Sequence, residues 1–405
     1  EKGTMNRDEC IRHKAPMAVL PYILHDLVNS RKNVKNLLKK EKDKFKASLL
    51  DIKQTALKVS ANSLYGYLGY KNSRFFAKEI AALVTRTGRR ILRNAAYIVT
   101  KNGYTIIYGD TDSVMVNTNE KDIKKAVEIG NKLNKLVSTQ YKLLILDIDG
   151  VFKSLLLLRK KKYACLKYLP PYTDQSKTER ELKGVDLVRR DWSPISKKTG
   201  LAVLDIILSG KSKDEIIAGI YEELQKVSKA IDENQIELKD YAITKQLAKN
   251  IDDYNDTKAL PHVQVAKRMR EQGKRNIPVN SFIPYIICLY KTDEENNDAP
   301  PHKSMKSISD RAYHPKEIEA DSSLIIDYDW YKENQILSVV KRLVQHIPEI
   351  TISQLCECLN IEYKSQEYQG INNEIIEYPK NSDDRDTKVF NTKVNGINFL
   401  SNFVN

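Results

Sequence analysis

The chain has 405 residues, with 67 Lys and Arg against 53 Asp and Glu, which gives a formal net charge of +14. Hydrophobic residues make up 41% and aromatic residues 8%, a composition that excludes intrinsic disorder and allows two or three domains. No run approaches the roughly 20 apolar residues that span a bilayer, and the five cysteines have neither a CxxC pair nor zinc spacing. This pattern predicts a reducing compartment, no structural metal and no membrane partner.

Two helical patterns come first along the chain. Apolar residues recur at helical spacing from Leu24 to Leu38, and a second helical stretch runs from about Phe45 to Tyr65 and stops at Gly66. The polar run between them is short. We therefore expect an antiparallel helical hairpin.

Both helices of this hairpin carry polar pairs at a spacing of four residues. Arg31 and Lys35 share one face of the first helix, and Lys58 and Asn62 share one face of the second. If both faces point to the same side of the hairpin, three cations converge and require an anion such as a triphosphate. A solvated helix face is the alternative, and it is preferred for the other lysines of the region, namely Lys32, Lys39, Lys40 and Lys42.

A third helix, from about Ala77 to Thr100, is followed by the stretch IIYGDTDSVMVN (Ile106–Asn117). Two β-favouring runs flank Asp110 and Asp112, which predicts a β-hairpin with two carboxylates at its tip. On extended backbone, residues two apart share a face, so these carboxylates repel unless a cation neutralises them. Hard oxygen ligands favour Mg²⁺. The spacing alone leaves the chemistry open, because sugar-nucleotide transferases also place a metal at Asp-x-Asp.

The sequence pattern in the centre of the chain predicts an α+β core and a basic surface. A helix is expected from Lys121 to Tyr141, followed by two strands, LLILDIDGVFKSLLLL and KKYACLKYL, around a turn at Gly150. Residues 151–200 hold 13 Lys and Arg against 5 Asp and Glu, an excess of 8 positive charges that suits a polyanion. Beyond Gly200 we expect a loop at 291–307 and helices at 212–231, 241–250, 263–272, 332–345 and 352–359.

Together, these motifs resemble the family B DNA polymerases. The resemblance rests on KVSANSLYGYLGY, on YGDTDS about forty residues later, and on LLLLRKKKYACL and KGVDLVRRDW further on. It implies a right-hand α+β polymerase fold, incomplete on its N-terminal side, with helical-hairpin fingers, an antiparallel β-sheet palm and a mostly helical thumb. The implied divisions are a palm remnant at 1–19, fingers at 20–66, palm at 67–192 and thumb at 193–405.

The resemblance also implies template-directed DNA synthesis in replication initiation and primer extension, in the nucleus, on a primer–template with deoxynucleoside triphosphates and two Mg²⁺ ions. Asp110 and Asp112 match the metal-binding catalytic carboxylates. The residues that match the nucleotide-binding positions are Arg31, Lys35, Lys58, Asn62, Tyr65 and Gly66. Those that match contacts to the duplex or the primer backbone are Lys161, Lys162, Tyr163, Lys183, Gly184, Arg189 and Arg190.

The sequence departs from the family in one motif. Members hold a further metal-binding aspartate in a run of the form Asp-x-x-Ser-Leu-Tyr-Pro, and no such run occurs here. The Cys-rich C-terminal module through which some members bind an accessory subunit and primase is also absent. We therefore expect a fragment, and the alternative function is a primer–template-binding module without catalysis. Asp147 and Asp149 could replace the third ligand, but a structural role is preferred for both.

Overall fold

The computed structural model describes residues 18–141, 144, 146–173, 175–254, 260–273, 277–289, 307–363 and 403–404. The chain divides into two compact units, Glu1–Tyr97 and Ile98–Asn405. Helices and antiparallel sheets occur in the same chain, which confirms the α+β class. No helix in the described ranges is both long and apolar enough to cross a membrane.

The first unit contains the predicted helical hairpin, made of α1 (Val19–Lys40) and α2 (Lys44–Gly69). The Asp43 carboxylate caps α2 by accepting from the N–H groups of the second and third residues beyond it. The predicted stop at Gly66 is wrong, because α2 continues to Gly69. Glycine inside a helix costs only about 1 kcal/mol, which the neighbouring turns can absorb. A domain boundary at residue 66 would therefore cut a continuous helix.

The third helix, α3 (Lys78–Lys101), begins in the first unit and runs across the boundary at Tyr97. Large apolar side chains of the first unit remain exposed, and Val19, Phe45 and Phe75 each keep 70% or more of their surface accessible. Val34 and Leu68 are the residues that α1 and α2 bury. The hairpin therefore gains little of its stability from a core of its own.

The second unit is built on a six-stranded antiparallel sheet with the order β1-β2-β9-β3-β4-β5. Its strands are β1 (Thr105–Asp110), β2 (Ser113–Asn117), β3 (Val151–Arg159), β4 (Lys162–Tyr168), β5 (Thr178–Lys183) and β9 (Phe403–Val404). Helix α4 (Ile123–Ser138) follows β2, and the Asp122 side chain caps it. Val99, Val116 and Leu133 join α3, β2 and α4 in a small apolar cluster.

The turn predicted at Gly150 is wrong. Gly150 precedes β3, and the described residues just before it belong to no strand. The chain reverses instead at Lys160 and Lys161, where Lys161 adopts φ +63. A Cβ on Gly150 would lie 2.5 Å from the Lys167 side chain, so this glycine allows a close approach to β4 and does not make a turn.

The remainder of the second unit is mostly helical and holds the largest core. Its elements are α5 (Pro194–Leu208), α6 (Lys213–Asp232), α7 (Leu238–Tyr241), β6 (Ile243–Gln246), α8 (Pro261–Glu271), β7 (Phe282–Ile287), β8 (Ala312–Tyr313), α9 (Pro315–Ala320), α10 (Tyr328–Trp330), a π-helical segment (Tyr331–Leu337), α11 (Ser338–Val344) and α12 (Ile352–Leu359). The Ser154 hydroxyl of β3 donates to the Leu208 carbonyl at 2.8 Å and ties this region to the large sheet.

The helices predicted at 212–231, 263–272, 332–345 and 352–359 are confirmed, whereas the one at 241–250 is wrong. That segment forms β6, which pairs antiparallel with β7 in a three-stranded sheet of order β6-β7-β8. Pairing with a strand some forty residues later overrides the local helical pattern. The predicted loop at 291–307 lies outside the described residues except for its last one.

His262 on α8 predicts a pH-dependent stability. Its side chain is 5% exposed, and burial, followed by the charge of Lys245, lowers its pKa from 6.5 to about 4. Between these values the unfolded chain binds the proton and the folded chain does not, so stability rises with pH. We expect about 3 kcal/mol of unfolding free energy to be lost as the pH falls from 6.5 to 4. Urea unfolding at several pH values measures this loss. If the unfolding free energy of His262→Leu falls with pH as steeply as that of the unaltered chain, the prediction is wrong.

Candidate active site and nucleic-acid interface

The acidic hairpin joins β1 to β2 through a two-residue turn. Asp110 pairs with Ser113 across the ladder, and Thr111, with φ +54, and Asp112 form the turn. The N–H of Asp112 donates to the Asp110 carbonyl at 2.6 Å. The hairpin lies where its pattern predicts, but the premise of extended backbone through both aspartates is wrong, because the turn reverses the chain there. Both carboxylates remain at the tip.

The two carboxylates have different surroundings. The Asp110 side chain is half-buried, accepts from the Thr111 hydroxyl at 3.2 Å, and lies 3.6 Å from the Lys161 ammonium. Asp112 is exposed. Carboxylate oxygens on one tip match the hard donors that Mg²⁺ prefers, and Mg²⁺ usually takes one or two protein carboxylates together with substrate phosphates. The donor set at this tip therefore fits a divalent cation.

Asp147 and Asp149 do not complete a metal-binding group with the hairpin. Among the described residues, no three His, Cys, Asp or Glu side chains converge in a way that could hold a metal ion. The Asp147 carboxylate accepts from the N–H of the next residue at 2.9 Å. Asp149 is exposed, and its charge adds a minor part to the rise in the pKa of Tyr163 that burial mainly causes. The preferred structural reading of both aspartates stays a prediction.

In the helical hairpin of the first unit, an open cavity of about 340 Å³ lies between α1 and α2. The structure brings Arg31 and Lys35 together with Lys58 and Asn62 in its lining. Arg31 is held in place by a hydrogen bond from its Nε to the Gln54 side chain at 3.3 Å. The two polar pairs thus face one space, as their spacing predicts.

Two further lysines join this cavity, whereas two expected residues do not line it. Lys32 and Lys39, for which the sequence favours a solvated face, are part of the lining. The described lining contains five cations and no carboxylate, so an anion would relieve their mutual repulsion. Tyr65 and Gly66 lie exposed further along α2 and are not among the lining residues.

The basic turn between β3 and β4 lies against the acidic hairpin. The backbone N–H of Lys161 donates to the Tyr108 hydroxyl at 2.8 Å, and the Tyr108 ring centre is 6.5 Å from that of Tyr163. Tyr163 in turn pairs with Lys183 across the β4–β5 ladder. The pKa of Tyr163 rises to about 12 through burial and then the charge of Glu181, so its phenol is neutral.

Gly184 packs closely against the backbone of the β3–β4 turn. It has φ +61, and a Cβ at this position would lie 2.2 Å from the Lys161 carbonyl oxygen. Only glycine combines that backbone conformation with so close an approach. The structure therefore brings together five of the predicted duplex-contacting residues on one edge of the large sheet, namely Lys161, Lys162, Tyr163, Lys183 and Gly184.

One acidic residue outside the sequence prediction connects several cations. Asp186 Oδ1 lies 3.2 Å from Lys162 Nζ and 3.3 Å from Arg189 Nε, and Asp186 Oδ2 lies 3.2 Å from Arg342 Nη1. Burial alone would raise the pKa of Asp186, but the hydrogen bond from Lys162 and the three positive charges outweigh it and hold the pKa below its ordinary value. We call Asp186 with Lys162, Arg189 and Arg342 the Asp186 cluster.

Two arginines of this region lie over aromatic rings. The Arg190 guanidinium is 4.4 Å from the ring centre of Phe282 in β7, and that of Arg342 is 5.3 Å from the ring centre of Trp192. Arg342 comes from α11, about 150 residues after the basic window. No local pattern near Arg342 could have assigned it to this surface, because only long-range folding brings it there.

Comparison with known proteins places this arrangement in a family. A model of the family described as "DNA polymerase family B" matches residues 2–347. A solved structure of the family B DNA polymerase from Pyrobaculum calidifontis is 28% identical, with a TM-score of 0.60 over 84% of this chain and 39% of that one. This similarity confirms the right-hand polymerase fold expected from the motifs.

Among the curated relatives, the DNA polymerase alpha catalytic subunit of Sterkiella nova is 48% identical over 359 residues, and that of Drosophila melanogaster is 40% identical over 352. LPHVQVAKRM and DRAYHPKEI (residues 260–269 and 310–318) also resemble the alpha subunit in particular. These alignments cover 87% and 86% of this chain but only 24% and 23% of the relatives. On the family match and these identities, the chain belongs to the family B DNA polymerases.

Proposed function

We propose that this chain carries the fingers, part of the palm and the thumb of a DNA-directed DNA polymerase that acts in replication initiation and primer extension. One observation carries the proposal: the two-carboxylate tip of the β1–β2 hairpin lies against the basic β3–β4 turn, with Asp110 next to Lys161. A carboxylate pair that binds metal, beside cations that bind phosphate, is the arrangement that nucleotidyl transfer on a duplex requires.

In the proposed reaction the primer 3′-hydroxyl attacks the α-phosphate of a deoxynucleoside triphosphate and pyrophosphate leaves. Asp110 and Asp112 would hold Mg²⁺, which when bound activates the attacking oxygen and stabilises the leaving one. Lys161 beside Asp110 offsets part of the carboxylate repulsion at the tip. Since positioning and charge stabilisation provide most of the catalysis in such transfers, these side chains act mainly by holding charges in place.

The cavity in the helical hairpin would receive the triphosphate. Arg31, Lys35 and Lys58 supply the positive charge, and Asn62 borders the nucleotide. Tyr65 and Gly66, which lie outside the cavity, would pack under the nascent base pair. Lysine and arginine donors suit phosphate oxygens because their hydrogen bonds are charge-assisted.

The proposed divisions are a palm remnant at 1–19, of which residues 1–17 lie outside the described residues, fingers at 20–66, palm at 67–192 and thumb at 193–405. In this division α2 continues three residues beyond the fingers, into the palm. We further propose nuclear localisation, and an accessory subunit and primase as partners of the whole protein through a C-terminal region outside this chain. The similarity to alpha catalytic subunits supports these proposals.

Duplex binding by this chain should depend steeply on salt. If Lys161, Lys162, Lys183, Arg189 and Arg190 each neutralise one phosphate, log K against log salt should have a slope of about −4 to −5. Fluorescence anisotropy on a recessed primer–template checks this. A nearly flat slope would contradict the proposal and equally its non-catalytic alternative.

A matched pair of lysine variants makes this measurement specific. Lys183 and Lys229 each pair with one glutamate, at 3.0 Å and 3.7 Å, and both are exposed. We expect Lys183→Ala to make the slope shallower by about 1, and Lys229→Ala on α6 to leave it unchanged. Equal effects of the two variants would mean that binding is not localised to the predicted surface.

A further inference from the structure

The Asp186 cluster joins three parts of the fold. Lys162 begins β4, Asp186 and Arg189 follow β5, and Arg342 belongs to α11. One carboxylate therefore contacts cations from the sheet, from the segment after it, and from a helix far along the chain.

The Asp186 cluster has a net positive charge, and it has more hydrogen-bond donors than its contacts with Asp186 use. Three cations around one carboxylate leave two net positive charges, so the site still attracts phosphate. An ammonium has three donors and a guanidinium five, so the contacts with Asp186 leave donors for other acceptors. Lys162 and Arg342 also line a cavity of about 680 Å³, and their side chains keep 37% and 55% of their surface accessible.

Arg342 is oriented by two contacts of different kinds. Asp186 accepts from one edge of its guanidinium, and the Trp192 ring lies 5.3 Å from its centre. These two contacts restrict the rotation of the guanidinium before any ligand arrives. Such preorganisation raises affinity because the ordering cost is met in the free protein.

We propose that Asp186 is a positioning residue that holds Lys162, Arg189 and Arg342 ready for the phosphates of a bound primer–template, and that Arg342 is an additional duplex contact. The inference rests on the proposed function. Lys162 and Arg189 already belong to the predicted surface, and Asp186 would set their geometry. Arg342 extends that surface into α11.

Whether Asp186→Asn weakens or tightens duplex binding tests this positioning role. If Asp186 were only a negative charge near the duplex, Asp186→Asn would tighten binding, because it removes repulsion of phosphate. If Asp186 positions the cations, the same variant should weaken binding about tenfold and make the salt slope shallower by about 1. Asp186→Glu keeps the charge and should restore the affinity to within about threefold of the unaltered chain.

Asp252→Asn is the matched control. Asp252 holds Arg270 through two contacts of 2.8 Å and 2.9 Å, so this change also removes one paired carboxylate and raises the net charge by one. It should leave duplex affinity unchanged or slightly tighter. Circular dichroism at the assay temperature establishes that each variant is folded. Arg342→Gln should weaken binding when Asp186 is present but add little to Asp186→Asn, because the two residues act as a unit.

The outcomes separate this inference from the proposed function. If the unaltered chain binds duplex with the expected salt slope and Asp186→Asn binds as tightly or more tightly, the inference is wrong and the proposed function stands. If the unaltered chain does not bind duplex, both are wrong. Full additivity of Asp186→Asn and Arg342→Gln would overturn the coupling on which the positioning role depends.

Discussion

Primer extension should fall by at least about 10³-fold when Asp112 is replaced by asparagine in a protein that contains this chain. The exposed Asp112 carboxylate at the hairpin tip is the more accessible of the two proposed metal ligands, and Asn keeps its shape without its charge. A metal ion contributes several kcal/mol of charge stabilisation, and each 1.36 kcal/mol is a factor of ten in rate. Single-nucleotide incorporation with Mg²⁺ on a recessed template measures the effect.

Duplex affinity provides the readout that distinguishes loss of chemistry from loss of structure. Without metal, Asp112→Asn should bind primer–template as tightly as the unaltered protein or slightly more tightly, since a negative charge is removed. Asp147→Asn is the control, because among the described residues its carboxylate accepts from the neighbouring backbone N–H at 2.9 Å, and this variant should extend primers normally. Normal extension by Asp112→Asn would overturn the proposed catalytic role.

The same assay locates the third carboxylate. This chain and a version extended at its N-terminus are compared side by side. If only the extended protein incorporates nucleotides, the further ligand lies outside these residues. If this chain extends the primer without the N-terminal extension, Asp149 becomes the candidate for the third ligand, and Asp149→Asn should then abolish primer extension.

Among the described glycines that have a positive φ, Gly184 should be the one whose replacement by alanine destabilises the protein most. The added methyl group requires left-handed backbone and would lie 2.2 Å from the Lys161 carbonyl oxygen, which is part of the backbone and cannot rotate away. We expect a loss of about 3 kcal/mol in unfolding free energy, the sum of the backbone and steric penalties. Urea unfolding checks this value. Duplex affinity should also fall, because the β3–β4 turn that carries Lys161 must move.

Gly210→Ala separates the two penalties. Gly210 has φ +78, but no atom lies within 4 Å of the place that an added methyl group would take, so only the backbone penalty of about 1 kcal/mol applies. Duplex affinity should stay unchanged in this variant. Equal destabilisation by the two substitutions would contradict a steric penalty from the close approach of Gly184 to Lys161.

Local interactions explain which features could be predicted from the sequence. The hairpin around Asp110 and Asp112 follows from β-favouring runs on either side of a turn, and α1 and α2 follow from helical periodicity. Arg31, Lys35, Lys58 and Asn62 meet in one cavity because a four-residue spacing fixes the face of each helix. All of these signals act within a few residues along the chain.

Local sequence patterns were therefore enough to predict the α+β class, the acidic tip, the cation pairs of the helical hairpin and the basic window. Tertiary structure alone decided that residues 243–246 form a strand, that the turn lies at Lys161, and that Arg342 reaches Asp186. These outcomes depend on contacts between residues far apart in sequence, whose free energy exceeds local preferences of about 1 kcal/mol or less. Residue spacing along the chain does not predict such long-range contacts, because they form only when the chain folds.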